Sequence, residues 1–159
     1  SLKFNFGKKM ITECTDVAEI LLLEDEPADA YLVKIALKEA KILANLHHAI
    51  DGRDGLDFLE RLGKYTNMPR PDLIFLDLNM PRMNGYEFLN EIKANTSLKD
   101  IPVVVLTTSD VESDVVRSYQ SGASSFITKP VDMVQFTSAI HQLGEYWFAL
   151  VRLPKELKN

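Results

Sequence analysis

The chain has 159 residues, 46% of them apolar and 26% charged, and a formal net charge of −5 at pH 7. That length suits one domain burying roughly 70% of its unfolded-chain surface, and the acidic balance gives no electrostatic case for nucleic acid. The apolar stretches fall far short of the ~20 residues that a membrane span needs, Ser1 to Met10 lack a signal-peptide core, and the single cysteine, Cys14, cannot form an internal disulfide, so a cytoplasmic location is expected.

After an amino-terminal tail of residues 1–17, the apolar run Ile20-Leu21-Leu22-Leu23 predicts a strand ending in Glu24 and Asp25. A helix is expected from Asp29 to Leu43, with Val33, Leu37, Ala40 and Ala44 on one face at spacings of three and four. A second strand at Leu46 to Ile50 precedes a short helix, Gly55 to Leu62, and a long loop from Gly63 to Pro71. The third strand, Leu73-Ile74-Phe75-Leu76, ends in Asp77, and the third helix runs from Tyr86 to Ala94 with Phe88, Leu89 and Ile92 inward. The fourth strand, Val103 to Leu106, ends in Thr107; Ser109-Asp110-Val111-Glu112 then reads as a capping box opening a fourth helix. The fifth strand, Ser125 to Thr128, is followed by Lys129-Pro130, and Asp132-Met133-Val134-Gln135 opens a fifth helix. Strands alternating with helices predict βαβ units, a parallel sheet and the α/β class.

Four apolar runs thus end in an acid pair, an acid, a hydroxyl and a lysine. Strand ends are where an open α/β sheet presents its chemistry, and these groups can hold a divalent cation and an acyl phosphate. An Asp after a strand is commonly a turn acid or a helix cap. In the company of Glu24, Asp25, Thr107 and Lys129, Asp77 can instead act as a carboxylate nucleophile and form an aspartyl phosphate. It must be ionised to attack, and neighbouring carboxylates oppose that. Two like charges ~4 Å apart repel by about 4 kcal/mol at an effective dielectric near 20. Mg²⁺, which takes oxygen ligands, and the Lys129 ammonium reverse the local field. His47 and His48 suit alternate faces of the second strand, and no histidine here is placed as a phosphodonor.

The ordered set Leu22-Leu23-Glu24-Asp25-Glu26-Pro27, Asp77 with Met80-Pro81 and Asn84-Gly85, Val105-Leu106-Thr107-Thr108, Gly122-Ala123, and Phe126-Ile127-Thr128-Lys129-Pro130 resembles the response-regulator receiver domain of two-component signalling, over roughly Glu19 to Leu143. The resemblance implies a flavodoxin-like (βα)5 doubly wound parallel sheet with strand order 2-1-3-4-5 and a site between strands one and three. It implies Asp77 as the phosphoacceptor. Mg²⁺ would be held by Asp25 and Asp77, by Glu24 through water, and by the backbone carbonyl of Asn79. Lys129 would contact a phosphoryl oxygen, aimed by a cis Lys129–Pro130 peptide. Thr107 and Phe126 would form a packing switch, the hydroxyl moving to the phosphoryl group and the ring turning inward. Glu26 has no matching role and reads as surface charge.

The long loop, Arg82-Met83-Asn84-Gly85 and the continuation Glu145-Tyr146-Trp147-Phe148-Ala149-Leu150-Val151-Arg152-Leu153-Pro154 resemble the stand-alone regulators paired with phytochrome-type kinases in cyanobacteria and other bacteria. The implied organisation is a receiver domain at 18–144 and a carboxy-terminal extension of the last helix at 145–159. Phe136, Ile140, Leu143, Trp147 and Leu150 fall at helical spacing. The first three suit a core, and the last two suit a homodimer interface, the simplest partner surface for apolar residues past a domain edge. The expected function is a phosphoacceptor served by a sensor histidine kinase, with no nucleic-acid or membrane partner and no catalysis beyond its own phosphorylation and dephosphorylation. A phosphorelay intermediate remains open. A haloacid-dehalogenase-type phosphatase would need an acid where Asn79 stands, and an FMN site would need a Ser/Thr/Gly-rich loop where Glu24-Asp25-Glu26 stands.

Overall fold

The computed structural model describes residues 17–108, 117 and 119–143. The expected tail apart from Val17, the capping box Ser109 to Glu112, and the extension carrying Tyr146, Trp147, Phe148 and Leu150 lie outside these residues; Arg117, Tyr119 and Gln120 are helical. Five strands, β1 (Ala18–Leu23), β2 (Ala44–Ala49), β3 (Leu73–Asp77), β4 (Val103–Thr107) and β5 (Ser125–Thr128), form one all-parallel sheet in the order β2-β1-β3-β4-β5. This is the flavodoxin-like order that the resemblance implied. Between them lie α1 (Pro27–Glu39), α2 (Gly52–Leu59), a 3-10 turn (Gly63–Tyr65) and α3 (Gly85–Lys93), and after β5 comes α4 (Met133–His141), the helix expected as the fifth.

The central strands are apolar along most of their length because helices cover both faces of the sheet. Leu21, Leu23, Ile74, Leu76, Val103 and Val105 face α2 and α3, where they meet Leu56, Phe58, Phe88, Leu89 and Ile92. Their neighbours in sequence, Ile20, Leu22, Leu73, Phe75, Val104 and Leu106, face α1 and α4 and meet Val33, Leu37, Phe136 and Ile140. Phe75 and Phe136 stack at 5.8 Å. Every residue of β3 and β4 is buried. The polar ends of these strands are therefore held on a rigid base.

The helix bounds differ from expectation for identifiable reasons. α1 starts two residues early because Pro27 occupies its first position, where a missing N–H costs nothing. Glu26, expected as mere surface charge, is exposed but is also the cap of this helix. α1 and α2 both end sooner than expected. Lys41 and Arg61 take the left-handed conformation, with φ of 60° and 58°. The amides of Ile42 and Leu62 then reach back to the carbonyls of Leu37 and Asp57. These are Schellman stops built on basic residues instead of glycine. Ala44 consequently belongs to β2 and not to the helix face. α2 likewise begins at Gly52, capped by the Asp51 carboxylate, which accepts from the Asp54 amide at 2.8 Å. The long loop is pinned by Tyr65, whose ring packs edge-on to Phe58 at 5.2 Å and whose hydroxyl donates to Asp54 at 2.9 Å.

Candidate functional site

At the carboxyl end of the sheet, β1 delivers Glu24 and Asp25, β3 delivers Asp77, β4 delivers Thr107 and β5 delivers Lys129. Glu24 and Asp77 are 0% and 2% exposed, whereas Asp25 is open to solvent. One oxygen from each of these three carboxylates lies within 4.8 Å of the others. The Lys129 ammonium lies 2.7 Å from Glu24 Oε1, 3.0 Å from Asp29 Oδ2 and 3.4 Å from Asp77 Oδ1. The Lys129–Pro130 peptide is cis, and the Lys129 amide donates to the Thr107 carbonyl at 2.7 Å. The Asn79 amide donates to Asp77 Oδ1 at 3.2 Å.

The loop after Asp77 is shaped by close approach. A Cβ on Gly85 would stand 2.5 Å from the Asp77 carbonyl oxygen. Asn84 caps α3 reciprocally with Glu87, at 3.0 and 2.9 Å. Arg82, at φ 61°, reaches to the β2–α2 turn and grips Asp51 through two bonds of 2.6 and 3.0 Å.

Burial dominates the electrostatics of the acids. It pushes the Glu24 carboxyl up to about 7, aided by the charge of Asp77 and opposed by Lys129. Burial also raises Asp77, against the opposing pull of Lys129 and the Asn79 amide. Burial alone would lower Lys129, but its contacts with Glu24, Asp29 and Asp77 outweigh it and hold the ammonium up at about 12. The lysine is thus a fixed positive charge beside acids that resist full ionisation.

A sequence profile of the response regulator receiver domain matches residues 20–141. The chain belongs to this receiver family. Response regulator Rcp1 of Synechocystis sp. is 44% identical over 135 residues, covering 85% of this chain and 92% of Rcp1. A structure of the Mn²⁺-bound form of Rcp1 aligns with a TM-score of 0.67 at 41% identity, over 84% of this chain and 89% of that one. The bacteriophytochrome response regulator RtBRR aligns with a TM-score of 0.75 at 41% identity, over 80% of this chain and 78% of its own. The phosphorylated cyanobacterial phytochrome response regulator RcpA aligns with a TM-score of 0.70 at 39% identity, over 82% and 94%.

The donor set of this receiver fits a hard divalent cation. It is all oxygen, it mixes buried and open carboxylates, and it is compact. Glu24 Oε1 is fully buried, and it is held by the charge of Lys129 instead of an aligned hydrogen bond, so it keeps acceptor capacity. Thr107 is buried at the end of β4, 3% exposed. Phe126 is half-buried, edge-on to Tyr119 at 5.8 Å and 85°, and the Tyr119 hydroxyl donates to Gln142 at 3.1 Å. His47 pairs with Glu19 at 2.8 Å and His48 contacts the Glu24 carbonyl, on opposite faces of β2. Sequence reasoning passed over Asp29 and the Asp51–Arg82 pair. Asp29 follows no apolar run, and Asp51 and Arg82 lie 31 residues apart, so no local pattern marks any of the three.

Proposed function

We propose that this receiver is a phosphoacceptor in two-component signalling, with Asp77 as the acceptor. The observation that carries the reading is the meeting of Asp77 with Glu24, Asp25 and Lys129 at one strand-end crevice. A carboxylate oxygen of Asp77 attacks the phosphorus of a phosphohistidine on a sensor histidine kinase. The P–N bond breaks, its electron pair returns to the imidazole, and an aspartyl phosphate forms on Asp77. Lys129 donates to a phosphoryl oxygen as a compact point charge. Glu24, Asp25, Asp77 and the Asn79 carbonyl would hold Mg²⁺, which supplies charge neutralisation at the transferred group. Thr107 and Phe126 form the switch: the hydroxyl turns to the phosphoryl group and the ring rotates inward, a packing change biased by a local charge.

The likeness to phytochrome response regulators supports a phytochrome-type kinase as donor. The match over 92% of Rcp1 supports a stand-alone regulator. On this reading the receiver domain spans 18–144, and the extension 145–159 makes a homodimer. A cytoplasmic location accords with the described residues, among which no helix is long and apolar enough to cross a membrane.

Incubation with acetyl phosphate and Mg²⁺ tests the core of the reading by intact-protein mass spectrometry. One phosphoryl group is expected on the unaltered chain and none on Asp77→Asn. Labelling that survives in Asp77→Asn would move the acceptor to another residue. A beryllofluoride complex tests the switch, since an unchanged Phe126 rotamer there would remove it.

A further inference from the structure

The contacts of Lys129 give it more counter-ions than the proposed chemistry uses. An ammonium has three N–H donors, and three carboxylates stand around this one, from Glu24, Asp29 and Asp77. Lys129 is nearly buried, with its side chain 6% exposed, so it cannot turn to water instead. Two of the three partners change their chemistry when the site is used. Glu24 joins the metal donors, and Asp77 becomes an acyl phosphate. Asp29 is neither a proposed metal residue nor the acceptor, and it sits in the first turn of α1, on a different element from both. An acid there also favours the helix dipole, but that role needs only a charge near the helix start. It does not require the carboxylate to lie 3.0 Å from a lysine at the end of β5.

Resting on the phosphoacceptor reading above, we propose that Asp29 is a positioning residue for Lys129, the one counter-ion that the ammonium keeps through the phosphorylation cycle. Lys129 exchanges Asp77 for a phosphoryl oxygen while Asp29 holds the side chain in place. Without Asp29 the ammonium collapses onto Glu24 and Asp77 and is poorly aimed when phosphorus approaches. Contacts that orient the ligands of a metal site typically matter about 10- to 100-fold, and Asp29 has the same orienting relation to Lys129.

The test uses the full chain with acetyl phosphate at saturating Mg²⁺. Asp29→Asn is expected to lower the rate of phosphoryl incorporation about tenfold or more, with a single phosphoryl group still entering at Asp77. Asp29→Glu is expected to recover part of that rate. A helix-start role alone would lower the melting temperature of Asp29→Asn and leave the rate at saturating Mg²⁺ unchanged. A second readout is the structure with Mg²⁺ and beryllofluoride, in which the Asp29–Lys129 contact should persist. A rate for Asp29→Asn within twofold of the unaltered chain, or a Lys129 that has left Asp29 in that complex, overturns the proposal. The two readings fail differently. If the unaltered chain takes no phosphoryl group, the phosphoacceptor assignment fails and Asp29 goes with it. If it takes one and Asp29→Asn is as fast, only the role of Asp29 fails.

Discussion

Glu24 is fully buried, and its carboxyl titrates near 7, against 4.5 for the free group. Between those two values the folded chain binds a proton that the unfolded chain has released, so stability falls as pH rises through this window. The drop in the metal-free protein is expected to be on the order of 1–3 kcal/mol. Urea unfolding at pH 5 and 7.5 measures it, and Glu24→Gln should flatten the difference. Because a ligating carboxylate must be ionised, the Mg²⁺ affinity of the unaltered chain should rise over the same interval. Asp51 has the opposite sign. Burial alone would raise it, but Arg82 and the Asp54 amide hold it below its ordinary value. Its contribution is complete above about pH 4 and is lost as pH falls through the lower folded value, outside the window of Glu24. Asp51→Ala removes the cap of α2 along with the grip on Arg82 and should cost about 1–2 kcal/mol. Asp51→Asn keeps the cap and should cost less, by the same denaturation.

At the scale of elements, strands were more legible than helix ends. A strand covered on both faces needs an apolar run and little else, and β3, β4 and β5 begin and end within a residue of expectation, whereas β1 and β2 begin at Ala18 and Ala44, two residues before the runs that announce them. Helix stops were misread because Lys41 and Arg61 hold a backbone conformation that usually announces itself as glycine. Replacing either with glycine at these stops should stabilise the chain by up to about 1 kcal/mol, the left-handed penalty outweighing the added freedom of the unfolded chain. Thermal unfolding of Lys41→Gly and Arg61→Gly reports the sign. The residues at the strand ends were legible because each follows its run directly. Asp29 and the Asp51–Arg82 pair were not, because only the packed sheet brings their elements together. The β3–α3 loop is the least forgiving connection. Gly85→Ala would press a methyl group to 2.5 Å from the backbone oxygen of Asp77. It should lower stability by about 2 kcal/mol or more and slow acetyl phosphate labelling, through displacement of the loop carrying Asn79.

For the whole molecule, the sheet divides the interior into two cores, and the site lies where both meet the strand ends. A cation or phosphoryl group bound there would tie together β1, β3 and β5, which belong to different parts of the chain. Binding to the folded state alone stabilises it by mass action, by about 2.7 kcal/mol at a ligand concentration 100 times Kd. The melting temperature should therefore climb with Mg²⁺ in the unaltered chain and stay nearly flat in Asp25→Ala. Self-association is a separate question, which the extension from 145 onward raises. Sedimentation of the full chain beside one ending at Gly144 should show a dimer only for the former. A full-length monomer at tens of micromolar would dismiss the extension as an interface.

An open sheet also leaves two raw edges where foreign strands can add, and both are blunted here. β2 carries Asn45, His47 and His48 along its length and follows Lys41. β5 is only four residues long and runs into Pro130, which has no N–H to offer. Such edges discourage strand-to-strand addition. Copies of this receiver therefore do not add readily to one another's sheets. Replacing Asn45 and His48 by valine should remove that guard, and turbidity on prolonged warming would reveal it before any loss of the fold.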